Sequence, residues 1–534
     1  MKNRFNARTA VCMAVLFLMI FVSMLRIADV SFNENYGAAA LNQTSYRLTA
    51  GWMRGTVFDT NMVPLTNQKT EVIASVLPVH GAVDDVRDVL LYETPEQLVH
   101  RLADGKPVLV RLKSEVHTKN VKSVTVRVNQ TADSLACHLL GYTDGEGHGI
   151  SGVQAAFDSY LYSGRTIDFL YGVSAAGDII DEHEVSVSYD DSISQSGVRL
   201  TIDSAVQRAL EQATGRLKSG AAVISEVGSG KIRGMVSYPK YDVTDVAKYL
   251  TDPSSPLINR AFCAYNVGSI FKPCVAAAAL EDGVYDSSIY NCTGSREIAG
   301  KNFACHRASG HGVVDMTDAV ALSCNTYFYS LAIKLGSQKI YDMASSLGFG
   351  TRYRFAENLY TEQGYLPTHE QVSPSEQSLA NLAIGQGSLM LTPVSLLPLY
   401  EAIANGGVYH RPTLVEGMVE NGAPQPQKEN YPTRVMSEQT ANKLKKSLYE
   451  VINRGTGTSA RPTLCTAAGK TATAQTGWIK EGKAVDHSWL CGFFPADNPK
   501  YVVVIISENT SGDGTPCGPL FSAVCDAVFR LKLS

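Results

Sequence analysis

The stretch SPLINRAFCAYNVGSIFKP, from Ser255 to Pro273, ends on Ser269-Ile270-Phe271-Lys272 at the entrance to an apolar helical run that continues through VAAAALEDGV. Residues three apart on a helix share a face, so Lys272 can lie against Ser269. A serine hydroxyl is a poor nucleophile unless such a base is within hydrogen-bond reach. A position at the helix start also turns the Ser269 backbone N–H toward an anionic intermediate, and Pro273 is tolerated there because first-turn N–H groups lack intrahelical partners. Alone the spacing is weak, since Ser-x-x-Lys arises by chance in long chains and a surface helix explains it better.

Two further motifs change that. Ser323-Cys324-Asn325 opens another helical stretch and supplies a hydroxyl to relay protons and an amide to hold a peptide carbonyl. Lys470-Thr471-Ala472-Thr473 lies in a strand-like run and offers an ammonium, two hydroxyls and backbone N–H groups to a substrate carboxylate and an oxyanion. Three such motifs in this order, each in a fitting element, leave little room for chance.

Outward from these motifs, AAVISEVGSGKIRGMVSYP reads as a β-hairpin turned by Gly228-Ser229-Gly230. SWLCGFFPA and YVVVIISEN form a second strand pair joined through Pro495 to Pro499, before a final helix from about Phe521. Helical texture fills the middle, including TDAVALSCNTYFYSLAIKLG. Strands at both ends of a helical block indicate one α/β domain whose sheet is assembled from distant parts of the chain. It opens near residue 196 with RLTID as a strand and SAVQRALEQATGRL as a helix, whose apolar face carries Val206, Ala209, Leu210, Ala213 and Leu217. From 27 to 195, Val/Thr/Ser alternation such as SVTVRVNQ predicts short strands in an extended mixed domain.

With 534 residues, 45% hydrophobic and 18% charged, the chain can bury a large core in two or three domains. A net charge of -4, without a Lys/Arg-rich run, leaves nucleic acid no cationic field to bind. From Thr9 to Leu25 no residue is charged, which is at the lower limit of the ~17–25 residues that span a bilayer. Arg8 and Arg26 can snorkel at its ends. Residues 9–26 are therefore expected to be an uncleaved anchor and 1–8 a cytoplasmic tail, because Lys2, Arg4 and Arg8 precede it while Asp29 and Glu34 follow. The small residues Gly37 to Ala40 lie too far downstream for an ordinary signal-peptide cleavage site.

The chain has 11 cysteines. Cys292 and Cys305 flank a Gly-rich polar stretch and can close a loop by a disulfide in an oxidising compartment, or stay as free thiols. Zinc is a third option, with Cys305-His306 and Cys137-His138 as candidate ligands, but no Cys-x-x-Cys or spaced His pair accompanies them.

The motif set Ser-x-x-Lys, Ser-x-Asn and Lys-Thr-Gly resembles that of the penicillin-binding transpeptidases. SPLINRAFCAYNVGSIFKP, GHGVVDMTDAVALSCNTYF, AIGQGSLMLTPVSL and GKTATAQTG followed by HSWLCGFFPADNPKYVVVI all look like that family's segments. RGTVFDTNMVPL and LLGYTDGEGHGISGVQAAFDSYL are similar to the pedestal of its class B, monofunctional members. The resemblance implies a pedestal over 27–195 and, over 196–534, a sheet flanked by helices with a helical subdomain, as in serine β-lactamases. It also implies a D,D-transpeptidase that cross-links peptidoglycan stem peptides ending in D-Ala-D-Ala, is acylated by β-lactams, and works outside the cytoplasmic membrane beside a glycan-polymerising partner.

Carried over residue by residue, Ser269 is the nucleophile, Lys272 its base, Ser323 the proton donor to the leaving amine and Asn325 the holder of the substrate amide. Lys470, Thr471 and Thr473 would bind the substrate carboxylate, and the N–H groups of Ser269 and Thr473 would form the oxyanion hole. No metal or organic cofactor is required. The chain departs from the pattern at Ala472 (glycine), Val267 (proline) and Gln154 (glutamate). A methyl at 472 facing the ligand is expected to slow acylation by bulky β-lactams, whereas one facing the domain only stiffens the strand. A D,D-carboxypeptidase or β-lactamase, which resolves the acyl-enzyme with water, shares the motifs. So does a catalytically weak scaffold or β-lactam sensor, and elongation, division and sporulation roles stay open.

Overall fold

The computed structural model describes residues 2–32, 45–174, 179–180, 185–283, 289–425, 431–480, 482–508 and 515–531; the Gly37–Ala40 stretch lies outside them. The chain forms two compact units. One comprises Met1–Met53, Thr70–Arg127 and Gly164–Asp191, the other Arg54–Lys69, Val128–Ser163 and Ser192–Ser534.

In the first unit, helix α1 (Lys2–Phe32) contains an apolar span, Arg8–Asp29, with a mean hydropathy of 2.5. By length and composition it suits a membrane anchor, a few residues longer than the charge-free run. A three-stranded sheet places Lys69–Val76 between Val108–Leu112 and Val121–Val128. Its inward side chains, among them Ala74, Val76, Val110 and Val121, form their own small core with Leu98. The strand predicted from SVTVRVNQ is thus present.

The second unit is built on a five-stranded antiparallel sheet of β1 (Gly220–Glu226), β2 (Ile232–Tyr238), β3 (Ala468–Lys480), β4 (Lys483–Phe494) and β5 (Tyr501–Ser507), in the order β2-β1-β5-β4-β3. Its main helices, in chain order, are α2 (Ser204–Thr214), α3 (Lys272–Glu281), α4 (Met316–Ala321), α5 (Asn325–Leu335), α6 (Pro393–Ala404), α7 (Glu438–Asn453) and α8 (Cys517–Arg530).

Period-two alternation divides β5 between two cores. Val503 and Ile505 join the apolar cluster that contains Val206 and Leu210 of α2 and Phe521 and Val524 of α8. Val502, Val504 and Ile506 join the larger cluster with Ile270, Leu396 and Tyr400. A sheet buried on both faces gives helix, sheet and helix layers. Helix α2 starts where Asp203 Oδ1 accepts the N–H groups of Ala205 and Val206, a cap worth about 1 kcal/mol.

A strand is present at Gly197–Leu200, but it takes in only Arg199 and Leu200 of RLTID, and it is not in the central sheet. It pairs in parallel with Thr56–Phe58 and antiparallel with Val415–Glu420. That small sheet packs residues 54–69 with the larger unit. Here too Arg54 is buried among Gln154 and Asp158. Gln154 Oε1 accepts from Arg54 Nε at 3.1 Å and Nη2 at 2.9 Å, while the carboxylate is supplied by Asp158, 2.8 Å from Nη1. A neutral glutamine at 154 therefore leaves the buried guanidinium paired.

Candidate active site

The lead-in to the first motif is fastened to the sheet. Buried Arg260 pairs with Glu508 just beyond β5 (Nε to Oε2, 2.9 Å), and the Tyr265 hydroxyl donates to the same carboxylate at 2.7 Å. Trp489 of β4 donates from Nε1 to the Asn266 carbonyl at 3.0 Å. The chain then makes a 3₁₀ turn, Gly268–Phe271, that runs into α3 at Lys272. The nucleophile candidate lies in this turn and not in the α-helix itself. The turn closes through the Lys272 N–H, which donates to the Ser269 carbonyl and keeps the two residues one turn apart. Pro273 occupies the first helical turn, as expected.

Gly268 has φ +62, and a Cβ there would stand 3.2 Å from the Thr473 carbonyl and 3.4 Å from the Ala472 methyl. Its N–H bonds the Gly385 carbonyl at 2.9 Å. Gly385 comes from the AIGQG segment, and a Cβ on it would meet Gly268 O at 2.0 Å. These two glycines allow three backbones to converge behind Ser269.

Lys272 is fully buried. Its Nζ donates to the Ser323 carbonyl at 2.8 Å, Ser323 Oγ at 3.1 Å and Asn325 Oδ1 at 2.7 Å. Burial pushes its pKa down to about 7, against an opposing pull from the thiols of Cys324 and Cys305. Lys470, on β3, is equally buried, donates to the Thr471 carbonyl at 3.1 Å, and is held well below the usual lysine range by burial and then by repulsion from Lys272. Neither has a carboxylate partner among the described residues. Ser323 sits between α4 and α5 at φ +55, a conformation costly for a residue with a side chain. It is held there while its hydroxyl and carbonyl both meet Lys272.

Ser269, Ser323, Asn325, Thr471 and Thr473 all line one cleft of ≈ 870 Å³. The structure thus brings together all seven residues singled out from sequence, five on the cleft wall and the two lysines beneath it. Thr456, which the sequence did not flag, exchanges a 2.8 Å hydrogen bond with Thr471.

Alternation along β3 settles the direction of Ala472. Lys470, Ala472 and Ala474 are buried, while Thr471, Thr473 and Gln475 are half-buried or exposed. The Ala472 methyl points toward Gly268, beside its cross-strand partner Trp489, and only 7% of the residue is exposed. Ala472 also borders the cleft, but of the two orientations open for its methyl the pleat supports the one facing the domain. Ala472→Gly is expected to lose about 0.5–1 kcal/mol of stability through added backbone freedom. Second-order acylation by penicillins should stay near wild type. Melting temperatures and stopped-flow acylation check this, and faster acylation at unchanged melting temperature would contradict it.

Of the readings left open for the cysteines, the structure has the free thiols. All those in the described residues are free thiols, Cys292 and Cys305 included. His138 Nε2 contacts the Pro256 carbonyl at 2.6 Å, and among the described residues Cys137-His138 gathers no further ligand. Cys305 gathers with Cys292, His311 and Cys324, while His306 Nδ1 stands farther off, 4.0 Å from the Cys305 sulfur and outside that group.

Residues 220–526 match the family model described as the penicillin binding protein transpeptidase domain. The chain is 27% identical to stage V sporulation protein D of Bacillus subtilis, over 95% of this chain and 82% of that protein. It is 25% identical to peptidoglycan D,D-transpeptidase MrdA of Acinetobacter baumannii, over 95% and 85% respectively. Among solved structures it resembles penicillin-binding protein 3 from Mycobacterium tuberculosis complexed with aztreonam (TM-score 0.64, 23% identity, 91% of this chain and 97% of that one). With the three motifs gathered on one cleft and the family model covering more than half its length, the chain belongs to the penicillin-binding protein transpeptidase family.

Proposed function

We propose that the chain is a class B peptidoglycan D,D-transpeptidase acting through an acyl-enzyme on Ser269. The observation that carries this reading is Lys272, fully buried with no carboxylate partner among the described residues and 3.1 Å from Ser323 Oγ under the cleft that Ser269 lines. With a pKa near 7 it is neutral often enough to take the Ser269 proton. Ser269 Oγ then bonds to the penultimate D-Ala carbonyl carbon, the negative charge passes to the oxygen facing the Ser269 and Thr473 N–H groups, and the C–N bond breaks. Ser323 passes a proton to the leaving D-alanine amine. Asn325 orients the donor amide, and Thr471 and Thr473, backed by Lys470, receive the terminal carboxylate. An amine of a second stem peptide reverses the sequence, forming the cross-link and freeing Ser269.

The charges on either side of the apolar span of α1 support an N-terminus inside and the cleft outside the cytoplasmic membrane, with residues 27–195 as a pedestal of which 54–69 and 128–163 pack with the larger unit. A membrane-bound glycan polymerase is its partner in this reading, because cross-linking consumes strands that an acyl-transfer site does not make. The test is an exchange assay with the purified chain, a donor ending in D-Ala-D-Ala and a D-amino acid acceptor. The expected product carries the acceptor. Hydrolysis alone would instead mark a carboxypeptidase, and turnover of penicillin within minutes a β-lactamase.

A further inference from the structure

Three sulfurs and one imidazole nitrogen, from Cys292, Cys305, His311 and Cys324, lie within 4.8 Å of one another. The three cysteines are buried and the histidine is half-buried. His311 Nδ1 stands 3.6 Å from both Cys292 Sγ and Cys305 Sγ. Zinc bonds of ~2.3 Å to sulfur and ~2.0–2.1 Å to nitrogen, at tetrahedral angles, separate two sulfurs by about 3.8 Å and a sulfur from a nitrogen by about 3.6 Å. The two nitrogen–sulfur distances already match, and the remaining ligand atoms, all within 4.8 Å of one another, need move by no more than about 1 Å. A disulfide, at ~2.05 Å, would take up two of the sulfurs and leave the third and the imidazole with no role.

Thr326 Oγ1 donates to Cys292 Sγ at 3.1 Å, a contact that suits a thiolate. The chain is also wound for closeness. Tyr290–Cys292 pairs antiparallel with Gly312–Val314, which sets His311 beside Cys292, and the hairpin Ser295–Ile298 with Lys301–Ala304 returns the backbone to Cys305. Gly294 and Gly310 have φ +98 and +73, and a Cβ on them would come within 1.9 Å of Ala308 O and 2.1 Å of Cys292 O. Apart from glycines, the buried residues between 290 and 314 are Cys292, Ile298, Cys305 and Val314, so two of them belong to the cluster. A segment with so little core is the kind that a metal staples.

We propose that Cys292, Cys305, His311 and Cys324 bind one zinc ion in a closed Cys₃His tetrahedron that ties segment 290–314 to the turn carrying Ser323 and Asn325. Three Zn–S bonds and one Zn–N bond form, three thiol protons leave to solvent, and no electron changes hands. With four protein ligands the ion has no open position for a substrate, so its role is structural. It nevertheless reaches the active site, because Cys324 lies between the two residues that hydrogen-bond Lys272. A Zn–S bond at 324 pins the backbone that Ser323 holds at positive φ. The resemblance carried no such expectation.

The test uses the full chain purified in detergent without chelator. Elemental analysis is expected to find one zinc per chain, and replacement by Co²⁺ to give the visible bands of a tetrahedral thiolate site. Cys305→Ser and His311→Ala should lower the zinc content, whereas His306→Ala should not. Stripping the metal should lower the melting temperature and slow penicillin acylation about tenfold, with recovery on adding Zn²⁺, in keeping with the effect of losing support around a site. The acylation arm rests on the proposed function, but zinc content and the Co²⁺ spectrum do not, so the two readings fail separately. If the substituted chains do not fold, the wild-type metal content and spectrum still decide. A chain with far less than one zinc and no thiolate–Co²⁺ spectrum, or one whose peptide map shows a Cys292–Cys305 disulfide, overturns the proposal.

Discussion

Ser269→Ala is expected to remove covalent labelling by fluorescent penicillin completely while the melting temperature stays close to wild type. The substitution deletes one half-buried hydroxyl in a turn whose shape is set by Gly268, Gly385 and the Trp489 and Arg260 anchors, none of which it touches. The packing loss is therefore small, whereas the acyl bond has nowhere else to form. The other serine of the motif set, Ser323, is itself buried and engaged by Lys272. Intact-mass spectrometry after exposure to penicillin reads both outcomes. Persistent labelling, with the adduct mapped to the peptide containing Ser323, would reverse the assigned roles of the two serines.

What the sequence made legible was whatever rests on local spacing. The Gly228–Gly230 hairpin, the α2 face and the Ser-x-x-Lys, Ser-x-Asn and Lys-Thr-x-Thr motifs each occupy a few consecutive residues, and the structure sets each in a fitting element. The rest depends on partners far along the chain. RLTID has the texture of a strand, but its pairing with Thr56–Phe58 is long-range, so its sheet was not readable. The direction of the Ala472 methyl follows from the pleat of β3 and from Gly268 two hundred residues earlier. The Cys/His cluster draws ligands from a strand end, a hairpin exit, a loop and a helix cap, and no short spacing announces it. Even the positive φ of Ser323 has no signature in Ser-Cys-Asn, because it is imposed by what Lys272 and α5 hold in place.

Lys272→Met should separate activity from stability. At pH 7 an ordinary lysine is charged, and lowering its pKa from 10.5 to about 7 corresponds to a folding cost of about 5 kcal/mol, at about 1.4 kcal/mol per unit. The sign follows from linkage: the folded value lies below the unfolded one, so the cost is present at pH 7, shrinks as pH rises toward 10.5, and is absent above it. Methionine fills similar volume with no charge. It forfeits three hydrogen bonds to Ser323 and Asn325, about 1 kcal/mol each. The balance favours the variant by a small margin, so its melting temperature at pH 7 should equal or exceed that of wild type, with the advantage gone by about pH 11. Acylation should nevertheless fall about 10²–10⁴-fold, the usual loss when a positioned base is removed. A group kept against a folding cost of that size is kept for chemistry. A Met variant that melts well below wild type, or that acylates at the wild-type rate, would show that Lys272 is a structural tie between α3 and the Ser323 turn and not the base of the reaction.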